Sequence, residues 1–168
     1  MISLSFTEDA ELIRKRKECL DYLSRHRVDV GLTSSASGRS RTLLAIHEHG
    51  APVMRIPPRP VVKPALSQAS VREEMAACQI EALEAAQKGD LSGTVAGLEK
   101  SGRAGADGIR AYIDQGIPPP NAPMTVEGGW IRNPASGKPV HIKGKSGTTP
   151  LVDTGQLRAD FDWEITEK

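Results

Sequence analysis

Aromatic residues are scarce: two Trp, two Tyr and two Phe stand among 168 residues. With 38 % hydrophobic residues, any core must be modest and mainly aliphatic. Cysteine is scarcer still. Cys19 and Cys78 are the whole supply, far apart and in no metal-binding spacing. Both are expected to be buried free thiols, which suits a reducing compartment. Charge of one sign is also lacking: 22 basic residues face 21 acidic ones, a net of +1. That balance excludes the global footprint of a nucleic-acid binder and confines any basic surface to one place. No apolar run approaches the ~20 residues of a membrane span. Met1 to Phe6 has neither a basic start nor a long apolar stretch, so no secretion signal is expected. The chain is expected to be made and used in solution, without a membrane.

The motifs of catalysis are missing too. His47-Glu48-His49 invites a metal reading, but on a helix residues two apart point about 200° apart and cannot share an ion. His26 and His141 are remote, and the zinc-protease spacing is not present. Ser34, Ser35 and Ser37 lie in a polar stretch with no nucleophile elbow. Gly144-Lys145-Ser146-Gly147 resembles the end of a phosphate loop but lacks its first glycine spacing and a following helix. Glu73-Glu74 reads as a solvated helix face. Nothing assembles nucleophile, base and oxyanion donor, so no enzyme, cofactor or metal is expected.

What the chain does have is 16 Gly, 12 Pro and several amphipathic segments. Thr7 is expected to cap a helix with Glu8 and Asp9 in its first turn and Leu12, Ile13, Cys19, Leu20 and Leu23 on one face. Val28, Val30 and Leu32 then alternate as a strand. Thr33 to Arg41 reads as a polar loop, with Thr42 capping a short helix that Gly50 ends. Pro64 should open a further helix whose buried stripe is Leu66, Ala69, Ala76, Ile80, Leu83 and Ala86 or Gln87. Gly89-Asp90 breaks it. The next helix has the seam Leu91, Val95, Leu98, Gly102, Gly105, Ile109 and Tyr112, spaced as in a coiled coil. Two seam glycines each cost ~1 kcal/mol relative to Ala, so close packing against a neighbour must compensate. The two helices should form a hairpin over about 64–116.

Residues 117–150 form a long Pro- and Gly-rich elaboration, with strands expected at 124–132 and 138–143 paired around Pro134 to Gly137. Asp153 or Thr154 should cap a last turn, after which Phe161, Trp163 and Ile165 alternate as a strand. The whole predicts one α+β domain over 1–168: a small mixed sheet packed on an N-terminal helix and a helical hairpin, with long Pro/Gly-rich loops.

Two segments stand out for binding. Ile56 to Pro64 carries four prolines in nine residues, which excludes a helix or a central strand. Its fixed φ angles lower the ordering cost of lying against another surface, and Arg55 and Arg59 offer forked donors to partner carboxylates. A stiff linker is the plainer alternative. Arg132 to Lys145 holds Arg132, Lys138, Lys143 and Lys145 plus His141 and no acid. It could meet phosphates or an acidic neighbour, although with only Trp130 nearby it lacks the stacking series of single-strand binders. A soluble loop is the alternative there.

Three motifs occur in order: His47-Glu48-His49-Gly50, then Arg55-Ile56-Pro57-Pro58-Arg59-Pro60, then Thr149-Pro150-Leu151-Val152-Asp153-Thr154-Gly155-Gln156-Leu157-Arg158 before the closing strand. In this order they resemble the virion morphogenesis, neck and tail-completion proteins of Mu-like and lambda-like long-tailed bacteriophages. The likeness spans about residues 43 to 166. Val61 stands where the family pattern has Phe, and Ala159-Asp160-Phe161 departs from its usual Asn or Asp, Ser and Ile.

The resemblance implies a structural virion protein that forms a homo-oligomeric ring at the head–tail junction, as neck, collar or tail completion. Six-fold symmetry is favoured over twelve-fold. Such a ring joins a portal-side adaptor to the tail terminator, tube or sheath and surrounds the channel for genomic DNA, without sequence-specific binding. Assembly would take place in the host cytoplasm. By similarity, Arg55, Ile56, Pro57, Pro58, Arg59, Pro60, Asp153, Thr154 and Leu157 are expected at subunit or partner contacts. Arg132, Lys138, Lys143 and Lys145 are expected to face the DNA channel or an acidic partner. A nucleic-acid-binding module using 132–145 is the alternative function, and a maturation hydrolase is a third.

Overall fold

A computed structural model describes residues 9–52, 56–133, 136–144, 151 and 155–168. In chain order its elements are α1 (Ala10–Arg25), β1 (His26–Leu32), α2 (Gly38–His49), α3 (Val62–Leu66), α4 (Ala69–Gln87), α5 (Leu91–Asp114), α6 (Pro123–Glu127), β2 (Gly128–Arg132), β3 (Pro139–Lys143), α7 (Gln156–Ala159) and β4 (Phe161–Glu167). The architecture is α+β, as expected. Its sheet content takes the form of two separate antiparallel ribbons, β1–β4 and β2–β3.

α5 is the axis of the molecule. The expected seam is there, with Leu98, Gly102, Gly105 and Ile109 buried. A second face of small residues, Thr94, Gly97, Ser101, Ala104 and Gly108, is buried as well. Glycine is required by close approach. A Cβ at Gly97 would lie 2.7 Å from Ala82 of α4, and one at Gly102 would lie 2.7 Å from the Trp163 ring of β4. The propensity cost of glycine is therefore offset by contact on two sides: α4 against one face, the β1–β4 ribbon against the other.

That ribbon joins the first strand to the last, pairing Val28 with Ile165, Val30 with Trp163 and Leu32 with Phe161. Directly opposed residues share a face, so Val28, Val30, Leu32 and their partners form one apolar surface. It lies on α5, where Val30 comes against Gly105. At the lower end of α5 the core gathers Val61, Ala65, Ile109, Ile113, Ile117, Leu151, Leu157 and Phe161.

Several local expectations change. The cap of α1 is Asp9, whose carboxylate accepts from the Glu11 amide at 2.9 Å, and Thr7 lies outside the described residues. α2 starts at Gly38 under a Ser37 cap, not at Thr42, so half of the supposed polar loop is helix. Polarity alone does not mark an exposed first turn. Pro64 lies inside the separate short helix α3, and extended Gln68 (ψ 136°) ends that turn before α4 begins. Residues 123–127 form a helical turn, so the first strand of the elaboration starts at Gly128 and not at 124. The last turn, α7, is preceded by left-handed Gly155 and has no side-chain cap. Asp153 and Thr154 lie outside the described residues.

The largest correction concerns α4. Its buried positions are Val71, Ala82 and Ala86, with Met75 and Cys78 half-buried between them. Of the expected stripe, Ala86 is buried and Leu66, in α3, is half-buried, but the rest faces solvent: Ile80 is 56 % exposed, and Leu83, Ala69 and Ala76 are exposed too. α1 repeats the pattern. Cys19 is buried with Leu12 and Leu23 partly covered, while Ile13 and Leu20 are open to solvent.

Candidate functional site

The motif around Gly50 and the prolines forms a clip inside the chain. Gly50 ends α2 with φ 73°, a left-handed angle that disfavours any residue with a Cβ. A Cβ there would also meet the Ile56 carbonyl oxygen at 2.9 Å. Just beyond it, Ala51 and Ile56 exchange two backbone hydrogen bonds of 2.8 and 3.0 Å, which closes a small loop. Glu48, one turn back on α2, accepts the amides of Val61 (2.8 Å) and Val62 (2.9 Å) on a single carboxylate oxygen. Those amides open α3, where backbone donors have no partner within the helix.

Arg59 completes the clip. Its amide donates to the His47 carbonyl at 2.6 Å. Its guanidinium donates to the carbonyls of Pro119 (2.8 Å) and Pro120 (3.0 Å). The residue is 5 % exposed, and burial holds its pKa below the ordinary arginine value. The two prolyl segments, 57–60 and 118–120, are thus tied together by one buried arginine.

This revises where a contact could form. Arg59 and Leu157 are buried within their own chain and cannot present side chains to a partner as the chain stands. The same segment leaves Pro57, Pro58 and Pro60 exposed and Ile56 half-buried. Arg55, Asp153 and Thr154 lie outside the described residues. Next to Leu157, Arg158 makes a two-pronged ion pair with Asp114 at 2.7 and 2.6 Å. The hydrogen bond from Arg158 holds the Asp114 carboxyl below its usual range.

The basic residues meet on the β2–β3 ribbon. Trp130 pairs with His141, Arg132 with Pro139 and Gly128 with Lys143. Opposed residues share a face, so Trp130, Arg132, His141 and Lys143 line one side of the ribbon. Trp130 is 70 % exposed and meets the His141 ring edge-on at 5.1 Å. The other side carries Ile131, Val140 and Ile142, with Val140 and Ile142 exposed. Lys138 is exposed at the turn, and Lys145 lies outside the described residues. Every residue of β3 is exposed. The ribbon packs mainly on the short helix α6.

Among the described residues no three of His, Cys, Asp and Glu gather as a metal site. No helix among them is long and apolar enough to cross a membrane. His47 is half-buried behind the clip, and His49 is exposed at the end of α2.

Two features escaped the sequence reading. One is Glu48 as the cap of α3, a tertiary cap 13 residues away along the chain, which no local spacing rule detects. The other is the exposed apolar side of α1 and α4. Its residues repeat with the same helical period that a buried face would show, so periodicity alone places them in the core. Compared with known proteins, the chain matches no family model, no curated protein and no solved structure.

Proposed function

We propose that this chain is a structural subunit of a ring at the head–tail junction of a tailed bacteriophage, a neck, collar or tail-completion protein with no catalytic role. The observation that carries the proposal is the β2–β3 ribbon. A two-stranded ribbon standing alone is at best marginally stable in water. This one exposes Trp130 on one side and Val140 and Ile142 on the other. Such a ribbon is suited to being covered by a neighbouring subunit, and heterologous contacts repeated around an axis close into rings. The ordered motifs from His47 to Arg158 supply the phage context. In this reading Pro57, Pro58 and Pro60 form a stiff outer edge for the portal-side adaptor or a tail protein. The ring is six-fold, with twelve-fold as the alternative, and sits in the virion after assembly in the host cytoplasm.

The test is assembly. Purified chain, alone and mixed with portal-side and tail-tube proteins from a long-tailed phage, is imaged by electron microscopy. Rings with a central opening wide enough for duplex DNA support the proposal. A monomer that joins neither neighbour contradicts it.

The ribbon also favours a second reading, a nucleic-acid-binding module. Trp130 offers a stacking surface, and Arg132 and Lys143 on the same side offer phosphate contacts. Steeply salt-dependent DNA binding by a monomer would favour this reading, with the slope falling by about 1 for each phosphate-contacting residue removed.

A further inference from the structure

In an antiparallel ribbon, opposed pairs that bond each other alternate with pairs whose amides and carbonyls point outward. The Lys168 amide donates to the Arg25 carbonyl at 2.8 Å, one step beyond the His26–Glu167 pair. The bonded pairs of the β1–β4 ribbon are therefore Arg27–Thr166, Asp29–Glu164 and Gly31–Asp162. Along β4 the outward backbone groups belong to Phe161, Trp163 and Ile165. The Phe161 carbonyl is indeed met from outside the ribbon, by the Arg110 guanidinium. Among the described residues no hydrogen bond reaches the outward groups of Trp163 and Ile165. On the β2–β3 ribbon the Asn133 amide donates to the Lys138 carbonyl at 2.9 Å, one step beyond the Arg132–Pro139 pair. The outward groups of β3 are therefore those of Pro139, His141 and Lys143. Pro139 has no amide to offer there, as suits an edge strand, and all of β3 is exposed.

Both edge strands are two-faced. β4 sets Asp162 and Glu164 on its outer face, and Trp163 and Ile165 on the face toward α5, where both stay half-buried. Asp162 is exposed, and Glu164 accepts from the Ser34 amide and hydroxyl. β3 sets His141 and Lys143 on one face, and Val140 and Ile142 on the other. Laid in parallel along β4, β3 matches both faces at once. Trp163 then sits beside Ile142, Glu164 beside Lys143 and Asp162 beside His141. The free backbone groups meet as well. The Trp163 amide reaches the His141 carbonyl, the Lys143 amide the Trp163 carbonyl, and the Ile165 amide the Lys143 carbonyl. The antiparallel direction would join the same groups with Lys143 or His141 opposite Trp163, setting a polar head on the apolar face. The other edge, along β1, offers no such match. Its outer face carries Arg27, Asp29 and Gly31, with Arg27 and Asp29 already paired at 3.0 Å. Within one chain the two ribbons are separate sheets.

We infer that β3 of one copy adds in parallel to the free edge of β4 in a second copy. Main-chain bonds supply the attachment, and the basic–acidic match sets register and partner. The contact joins two different surfaces of the chain, so it is heterologous and can repeat around a closed ring. The inference rests on the reading of the chain as a self-assembling subunit and deepens it by naming what covers the ribbon.

The test uses full-length chain. Lys143→Glu sets an acid beside Glu164 and should weaken self-association in sedimentation about fivefold or more. Lys143→Glu/Glu164→Lys in one chain restores opposite charges at every contact and should recover it. Lys143→Pro also removes an outward amide while leaving the β2–β3 bonds in place. It should weaken association more than Lys143→Gln, which removes the charge alone. Circular dichroism and melting are compared with the parent for each variant. Independently, with Cys78→Ser throughout, oxidised Lys143→Cys/Glu164→Cys should give a ladder of covalent multimers. Ile142→Cys/Glu164→Cys, on opposite faces, should not. A parent chain that assembles, with Lys143→Glu and Lys143→Pro assembling equally well and no ladder, overturns the inference and leaves the ring reading standing. A parent chain that stays monomeric at every concentration overturns the inference and the self-assembly reading together. A folded double charge reversal that fails to recover, or equal ladders from both cysteine pairs, overturns the stated register. A monomer that binds duplex DNA through Lys143 overturns the inference in favour of the nucleic-acid reading.

Discussion

Glu48 and Arg59 tie three segments of chain together through backbone groups alone. One carboxylate oxygen of Glu48 takes two amides, and one guanidinium takes two proline carbonyls. Replacing Glu48 by Ala should cost about 1–3 kcal/mol in urea unfolding, because two amides at the start of α3 lose their acceptor. Glu48→Gln keeps an acceptor oxygen and should lose less. Arg59→Lys cannot reproduce the fork and should also destabilise the fold. At Gly102 the constraint is steric. Ala there would press on the Trp163 ring, and about 1–3 kcal/mol of destabilisation is expected, as for other overpacked sites. Asp29, Asp114 and Asp160 add a pH dependence. Their carboxyls are held below the ordinary aspartate range, chiefly by hydrogen bonds from Thr166, Arg158 and Ser40 respectively. A folded-state pKa that is depressed gives stability that is present above the unfolded value and lost as pH falls through the folded one. The urea midpoint should therefore be level near neutrality and fall from about pH 4 downwards. Asp114→Asn should make that fall shallower.

At the scale of elements, the helices and end strands were legible because their apolar periodicity is strong. The hairpin of α4 and α5, its break at Gly89-Asp90, and the strands at 28–32 and 161–165 all follow from pattern. The pairing of those two strands does not, since no local rule joins chain ends more than 120 residues apart. On α4 the helical period holds, but of the residues it predicts as buried only Ala86 is covered, while Ala69, Ala76, Ile80 and Leu83 face solvent. The helix has two apolar stripes, and the one with the larger residues, Ile80 and Leu83, looked like core. The small-residue stripe is buried because glycine-rich α5 demands close approach, with Gly97 against Ala82. Size favours burial only where there is room. This gives a paired prediction. Ile80→Glu should change folding stability by no more than about 0.5 kcal/mol, as for an exposed site. Ala82→Leu should cost about 1–3 kcal/mol or more, because nothing beside it can move away easily. Equal losses in thermal unfolding would show that the packing register of α4 is wrong. The proposed contact residues were legible only in part. The prolines were found as a stiff segment, but their arginine faces inward. The basic cluster, with His141 in it and Trp130 beside it, follows from the sequence; what the ribbon register adds is that Trp130, Arg132, His141 and Lys143 share one side.

The whole molecule combines a tightly clipped interior with two open surfaces, the β2–β3 ribbon and the α1–α4 face. The interior explains why ordered motif residues such as Glu48, Gly50 and Arg59 can matter without touching a partner: they shape the edge that carries the exposed prolines. In the proposed reading, these open surfaces are where neighbouring subunits would pack. If the ribbon is covered on assembly, Trp130 should lose solvent exposure. Its fluorescence should then shift to the blue and resist quenching by a soluble quencher in the complex, while Trp163, already against Gly102, should change little. Trp130→Ala should leave folding intact and reduce assembly. The most direct test of the central claim is the mass of the full chain in solution, measured by native mass spectrometry across concentrations and together with portal-side adaptor. The account predicts a discrete closed species of six copies, or of twelve. A chain that remains a single copy under every one of these conditions would contradict it.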